Sequence, residues 1–122
     1  MRRWPAHEVK GRSRAAAADA LRAMADQVEH IRVHFDVDVV DFEDFPAADV
    51  PHRGGLSFAE AQEVLETLLA SPPVVGLVVT AFNPDGDADG VLARRLTAAL
   101  AESMPGGRSI GMYATRLSEF GP

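Results

Sequence analysis

The spacing of apolar and polar residues changes several times along the chain, and each change marks an element. From Ser13, a residue type that caps helices, an alanine-rich stretch to about residue 29 places Leu21, Met24 and Val28 three and four positions apart, the spacing of one helix face. Residues 31–40 then alternate with period two. Ile31, Val33, Phe35, Val37 and Val39 fall on one side, and Arg32, His34, Asp36, Asp38 and Val40 on the other. That pattern predicts a strand with a wholly apolar face. Residues 41–56, broken by Pro46, Pro51 and the Gly54-Gly55 pair, read as a long loop, and loops of such length in compact domains are commonly functional or mobile.

Ser57-Phe58-Ala59-Glu60 has the spacing of a capping box, in which the serine and the glutamate each satisfy a backbone amide of the helix start. It opens a predicted helix to about residue 70 that buries Phe58, Ala61, Val64, Leu65 and Leu68, and Ser71-Pro72-Pro73 stops it. "VVGLVVTAF", residues 74–82, is a nearly unbroken apolar run rich in β-branched residues, as expected of a parallel strand covered on both faces. Residues 83–87 turn the chain, and 89–104 return to helical spacing with Leu92, Leu96 and Leu100. From Pro105 the composition changes without clear periodicity. The expected organisation is therefore one unit over residues 1–104 and an appendage over 105–122.

The order helix, strand, helix, strand, helix, with room for one short strand near the N-terminus, predicts a layered α/β fold with right-handed crossovers. Two or at most three strands make a narrow sheet, whereas "VVGLVVTAF" suits the middle of a wide one. The expected consequence is an exposed sheet edge that pairs with a second copy or with a longer relative, hence a homo-oligomer.

Composition narrows the function classes. A chain of 122 residues is sized for one domain, and its 47% hydrophobic and 25% charged residues match a globular protein. A net charge of −6 argues against a nucleic-acid partner, which requires a basic surface. The absence of cysteine removes disulfides, thiolate catalysis and cysteine-type zinc sites. The longest apolar run is far short of the roughly 20 residues of a membrane span, and the arginines at the N-terminus are not followed by the apolar segment of a secretory signal. No membrane association and a cytoplasmic location are the expectation.

The candidate chemistry lies at the end of the first strand. Asp36 and Asp38 are spaced by two, with Cα atoms about 6.6 to 7 Å apart on one face of a strand. They sit at the carboxyl end, where ligands bind in open α/β sheets. Their carboxylates can converge on a hard cation such as magnesium or manganese. His34 shares the face but is about 13 Å from Asp38 along a strand, too far for one metal to take all three. The competing reading is that the two acids close the strand end and meet solvent or an arginine.

Residues 33–84 resemble the C-terminal part of the ureohydrolase family, which includes arginase, agmatinase and formimidoylglutamase. The resemblance rests on "VHFDVDVVD", on the loop and helix "FPAADVPHRGGLSFAEAQEVLETL", and on "VVGLVVTAFNPDGD" before the last helix. It implies a three-layer α/β/α fold around a parallel sheet, here a truncated version with two or three strands. It also implies a pair of manganese ions, Mn2+, bridging a hydroxide that attacks the carbon of a small guanidino or amidine substrate; two metals acidify and position such a water.

By this resemblance Asp36 and Asp38 take the positions of the family's late metal-ligand pair, and Asp41 matches an acid whose role is structural. Gly54, Gly55 and Leu56 match the loop closure. His52 lies where family members shape the substrate pocket, which makes it a substrate-binding candidate against the simpler reading of a surface-loop histidine. No catalytic residue is assigned.

The departures from the family pattern carry as much information. Its earlier ligands come from a Gly-Gly-Asp-His segment and an Asp-x-His-x-Asp segment, and neither occurs in the 122 residues. The glutamate that engages the cationic substrate before the Asn-Pro turn falls on Ala81. The expectation is a C-terminal fragment or truncated relative of a manganese-dependent ureohydrolase that does not turn over alone. The alternatives are a non-catalytic self-association or interaction module, and a haloacid-dehalogenase-like phosphatase using Asp36 as nucleophile and Asp38 as general acid. The latter wants a downstream lysine, whereas the sole lysine, Lys10, lies upstream.

Overall fold

The computed structural model of the protein describes residues 2–105, so all but the first residue of the expected appendage lies outside the described residues. The elements are α1 (Ala6–Val9), α2 (Ser13–Ala25), β1 (Ile31–Asp36), α3 (Phe58–Leu69), β2 (Val74–Thr80) and α4 (Val91–Ser103). The two strands pair in parallel, with Val33 opposite Leu77, Phe35 opposite Val79 and Asp36 opposite Thr80, and α3 lies on the connection between them. Among the described residues this is an α/β fold with a two-stranded parallel sheet. Among the described residues no helix is long and apolar enough to cross a membrane.

The core follows from the alternation in β1. Ile31, Val33 and Phe35 are buried and their neighbours exposed, and they join Phe58, Ala61, Leu65 and Leu69 of α3 and Leu96, Ala99 and Leu100 of α4 in one cluster, with Leu77 and Val79 of β2 packed against it. The helices thus cover one face of the sheet. α3 begins at the expected capping box: the Glu60 amide donates to Ser57 Oγ at 3.1 Å, and the Ser57 amide donates to Glu60 Oε1 at 3.0 Å. Each bond satisfies an amide that the first helical turn leaves without a carbonyl.

Several expectations are corrected. The N-terminal stretch forms helix α1 after Pro5 rather than a strand. Ser13 does not cap α2; Arg12 holds the cap position without a side-chain bond, and Ser13 is the first helical residue, buried with Ala16 and Ala17. The helix ends at Ala25, and Met24 and Val28 are exposed; its buried residues are the small Ser13, Ala16 and Ala17, and of the expected face Leu21 packs, partly buried, against the core. β1 ends at Asp36 because the Asp36 carboxylate accepts the amide of Asp38 at 2.9 Å, which closes a 3-10 turn, Val37–Val39, in place of the continuing strand. The turn shifts the phase: Val39 turns outward at 38% exposure, and Val40, expected outside, is 1% exposed. The second strand ends at Thr80 rather than at residue 82 and is not covered on both faces, since Val75 is 63% and Val78 42% exposed.

Residues 41–56 are irregular but packed. Phe45 is fully buried, stacked on Phe58 with ring centroids 5.4 Å apart and tilted against Phe82 at 6.3 Å. Arg95 of α4 lies 4.1 Å over the Phe58 ring and donates to the Asp44 carbonyl at 2.9 Å and to its carboxylate at 3.2 Å, while Asp44 also accepts the Phe58 amide at 2.5 Å. The loop, α3 and α4 are thereby clamped together.

Candidate functional site

The chemistry-bearing residues gather at the carboxyl ends of the two strands. Asp36 is the last residue of β1 and is exposed; Asp38, in the 3-10 turn, is half-buried. Asp38 has thus left the strand, so the two acids are no longer successive positions of one pleated face. Each spends an oxygen on the backbone: Asp36 Oδ1 accepts the Asp38 amide, and Asp38 Oδ1 accepts the Val50 amide at 3.0 Å. The second bond ties the loop to the strand end. His34 is on the open face two residues before Asp36, its Nε2 2.7 Å from Thr80 Oγ1 across the strand pair.

Asp41 closes the loop. Its carboxylate accepts the amides of Glu43 at 3.0 Å and Gly54 at 2.8 Å. Those amides, the Glu43 one foremost, hold the carboxyl below its ordinary value, burial opposing and the nearby charges of Lys10 and Arg53 adding to the effect. The neighbouring Gly55 lets two backbones touch, since a Cβ there would meet the Val39 carbonyl oxygen at 2.5 Å and the Asp41 nitrogen at 2.8 Å. Around it the Leu56 amide donates to Val39 at 2.9 Å and the Asp41 amide to Leu56 at 2.7 Å.

His52 is exposed. Its Nδ1 lies 3.3 Å from the Arg53 carbonyl oxygen and its own carbonyl accepts the Phe42 amide, and among the described residues no hydrogen bond joins it to Asp36 or Asp38.

Past the end of β2, Ala81 takes φ of +69°, in the left-handed region that costs a side-chain-bearing residue free energy. Its carbonyl accepts the Asp49 amide at 3.0 Å, Ala48 bridges antiparallel to Phe82, and the Asn83 amide donates to Ala47 at 2.9 Å. Residues 47–49 therefore lie against 81–83, and the loop spans both strand ends. Sequence reasoning missed this pairing, the Asp44–Arg95 clamp, and Asp87, whose two oxygens accept the Leu92 and Ala93 amides at 2.8 Å and so cap α4. For Asp87, acids clustered before a helical run were an available signal. The others had none, because their partners lie more than 30 residues away in the sequence.

The oxygen donors of Asp36 and Asp38 have the chemistry a hard cation takes. Their number falls short: among the described residues no group of three or more His, Cys, Asp or Glu side chains could hold a metal ion. Surface hollows of about 330 and 310 Å³ lie elsewhere, one between the α1–α2 turn and α3, the other between α3 and α4, and neither is lined by these aspartates.

The model of the arginase family matches residues 1–106. The chain belongs to the arginase family. No curated protein matches it. Among solved structures it is similar to the arginase of Bacillus caldovelox, at 21% identity with a TM-score of 0.74 over 88% of this chain and 36% of that one. It is similar also to the formimidoylglutamase of Bacillus subtilis subsp. subtilis str. 168, at 20% identity with a TM-score of 0.73 over 82% of this chain and 32% of that one. A third is the formiminoglutamase of Trypanosoma cruzi, solved with Mn2+, at 24% identity with a TM-score of 0.63 over 80% of this chain and 32% of that one. At these identities the likeness carries the arginase-like fold, and the chain spans about a third of the length of the solved relatives it matches.

Proposed function

We propose that this arginase-family chain carries one part of a manganese site of the ureohydrolase type, the Asp36 and Asp38 carboxylates, and does not by itself hydrolyse a guanidino or amidine C–N bond. The observation that carries the reading is the pair of aspartates at the carboxyl end of a parallel strand, each with one oxygen bound to backbone, at the place the family resemblance gives its late metal ligands. The Mn2+ with which the Trypanosoma cruzi relative was solved supports the choice of metal. Two carboxylates leave most of a cation's coordination to water, so binding is expected to be weak. Ala81, with a methyl group where the resemblance places a substrate-binding glutamate, offers no charge to a guanidinium. His52 is retained only as a rim residue of the substrate side, since it is exposed on the loop.

The test is release of urea or ammonia from arginine, agmatine and formimidoylglutamate in the presence of manganese, together with a calorimetric titration of manganese. No release and weak binding that Asp36→Ala abolishes are expected. Turnover lost in Asp36→Ala would refute the claim of inactivity, and manganese binding unchanged in Asp36→Ala would refute the ligand assignment.

A further inference from the structure

Residues 46–50 of the loop are fixed to both strand ends. Ala48 bridges Phe82, and the bonds of that pairing run from the Asp49 amide to the Ala81 carbonyl at 3.0 Å and from the Asn83 amide to the Ala47 carbonyl at 2.9 Å. The Val50 amide is held by Asp38 Oδ1 at 3.0 Å. Gly86 lets the turn after β2 close on the same segment, since a Cβ there would meet the Pro46 carbonyl oxygen at 2.6 Å and the Ala47 Cα at 3.0 Å. All of these contacts are internal to residues 38–86, so the place of the segment is set by the loop and the two strand ends themselves.

Asp49 is the charged residue of this segment, and it differs from the other acids of the loop. Asp41 accepts the amides of Glu43 and Gly54, Asp44 holds Arg95, and Glu43 pairs with Arg53 at 3.3 Å. The Asp49 amide is spent on Ala81, but its carboxylate is exposed and makes no hydrogen bond or ion pair among the described residues. The pairing centred on Ala48 and Phe82 sets Asp49 directly opposite Ala81, where antiparallel residues joined by a hydrogen bond have Cα atoms about 5.5 Å apart. Its neighbour Val50 is tied to Asp38. Asp49 thus stands between a candidate metal ligand and the methyl group of Ala81.

We propose that Asp49 supplies the negative charge that engages the cationic group of a guanidino or amidine ligand at this site, from the position opposite Ala81. For the class of ligand this rests on the proposed function. Residues directly opposite in an antiparallel pair are near enough for the side chain of one to fill the space beside the other. A planar guanidinium presents paired N–H donors, and a carboxylate accepts two of them at once. Asp49 needs no rearrangement to do so, because its backbone is already fixed and its carboxylate has no other partner to give up. It binds the ligand and leaves Asp36 and Asp38 to the metal.

Equilibrium binding of agmatine to the full chain, followed by NMR with and without manganese, tests it, with circular dichroism to check that each variant is folded. The wild type is expected to bind agmatine, and to bind more weakly a diamine of the same length that carries an ammonium in place of the guanidinium. Asp49→Asn keeps the backbone bonds and the size of the side chain, and is expected to weaken agmatine binding about tenfold, the loss of one bond to a charged group. Glu43→Gln removes a charge from the same loop and is expected to bind agmatine as the wild type does. Asp49→Asn/Ala81→Glu returns a carboxylate across the pair and is expected to recover most of the loss. A wild type that binds no agmatine, an Asp49→Asn variant that binds it as well as the wild type, or an equal loss in Glu43→Gln overturns the proposal. A double variant that recovers nothing overturns the placement opposite Ala81. Manganese titration of the same samples separates the two readings: manganese binding lost in Asp36→Ala with agmatine binding indifferent to Asp49 overturns this inference alone. Agmatine binding that depends on Asp49 in a chain that takes up no manganese overturns the metal assignment alone.

Discussion

Gly55→Ala is the sharpest test of how the loop is locked to the strand end. The added Cβ would lie 2.5 Å from the Val39 oxygen, 2.8 Å from the Asp41 nitrogen and 3.0 Å from the Val40 carbonyl carbon, all backbone atoms that cannot rotate away. Relief requires the Val40–Leu56 bridge to open, with loss or stretching of the 2.9 and 2.7 Å bonds between Leu56 and residues 39 and 41. Overpacking costs about 1 to 3 kcal/mol and each weakened bond about 0.5 to 1.5 kcal/mol, so a loss of about 3 kcal/mol is expected.

Gly54→Ala is the control. Gly54 has φ of +86°, but nothing lies within 4 Å of a Cβ there, so only the left-handed strain of about 1 kcal/mol applies. In urea, with a slope of about 1.5 kcal/mol/M, the unfolding midpoint should fall by about 2 M for Gly55→Ala and by about 0.7 M for Gly54→Ala. An equal or larger loss at Gly54 would refute the close approach as the reason for glycine at 55.

Two further predictions concern the acids bound to backbone amides and the left-handed residue after β2. The carboxyls of Asp41 and Glu60 are held below their ordinary values of 3.8 and 4.5, Asp41 first by the Glu43 amide and then by Gly54, Glu60 first by the Ser57 amide and then by Gly11. Their folded values are depressed, so their contribution to stability is fully present above the unfolded values and is lost as pH falls through the folded ones. The urea midpoint should therefore drop below about pH 4.5, and Asp41→Asn and Glu60→Gln should each flatten that acid limb; a limb equally steep in both variants would refute the assignment. Ala81→Gly relieves the left-handed strain at φ +69° and should raise stability by up to about 1 kcal/mol, whereas Ala81→Val should lower it by more than that. Destabilisation by Ala81→Gly, the usual outcome in a strand, would show that the strain is not there.

What could be read from sequence was local or periodic. The capping box at Ser57 and Glu60 is specified by residues three apart, and the core face of β1 by its alternation, so both were visible before any packing was known. The arginase-type order of aspartate pair, glycine-closed loop, helix, strand and Asn-Pro turn was visible for the same reason: each motif is contiguous. Tertiary structure decided where β1 stops, because a carboxylate that can accept an amide two residues on competes with strand pairing, and period two is silent on that competition. It also decided that Asp38 holds the loop through Val50, that Asp44 meets Arg95 and that residues 47–49 lie against 81–83. The apolar run of β2 is compatible with cover on either face, since hydrophobicity specifies burial but not the neighbour that provides it. Contacts between segments tens of residues apart depend on how the elements pack, and a one-dimensional pattern does not encode which side chains that packing brings together.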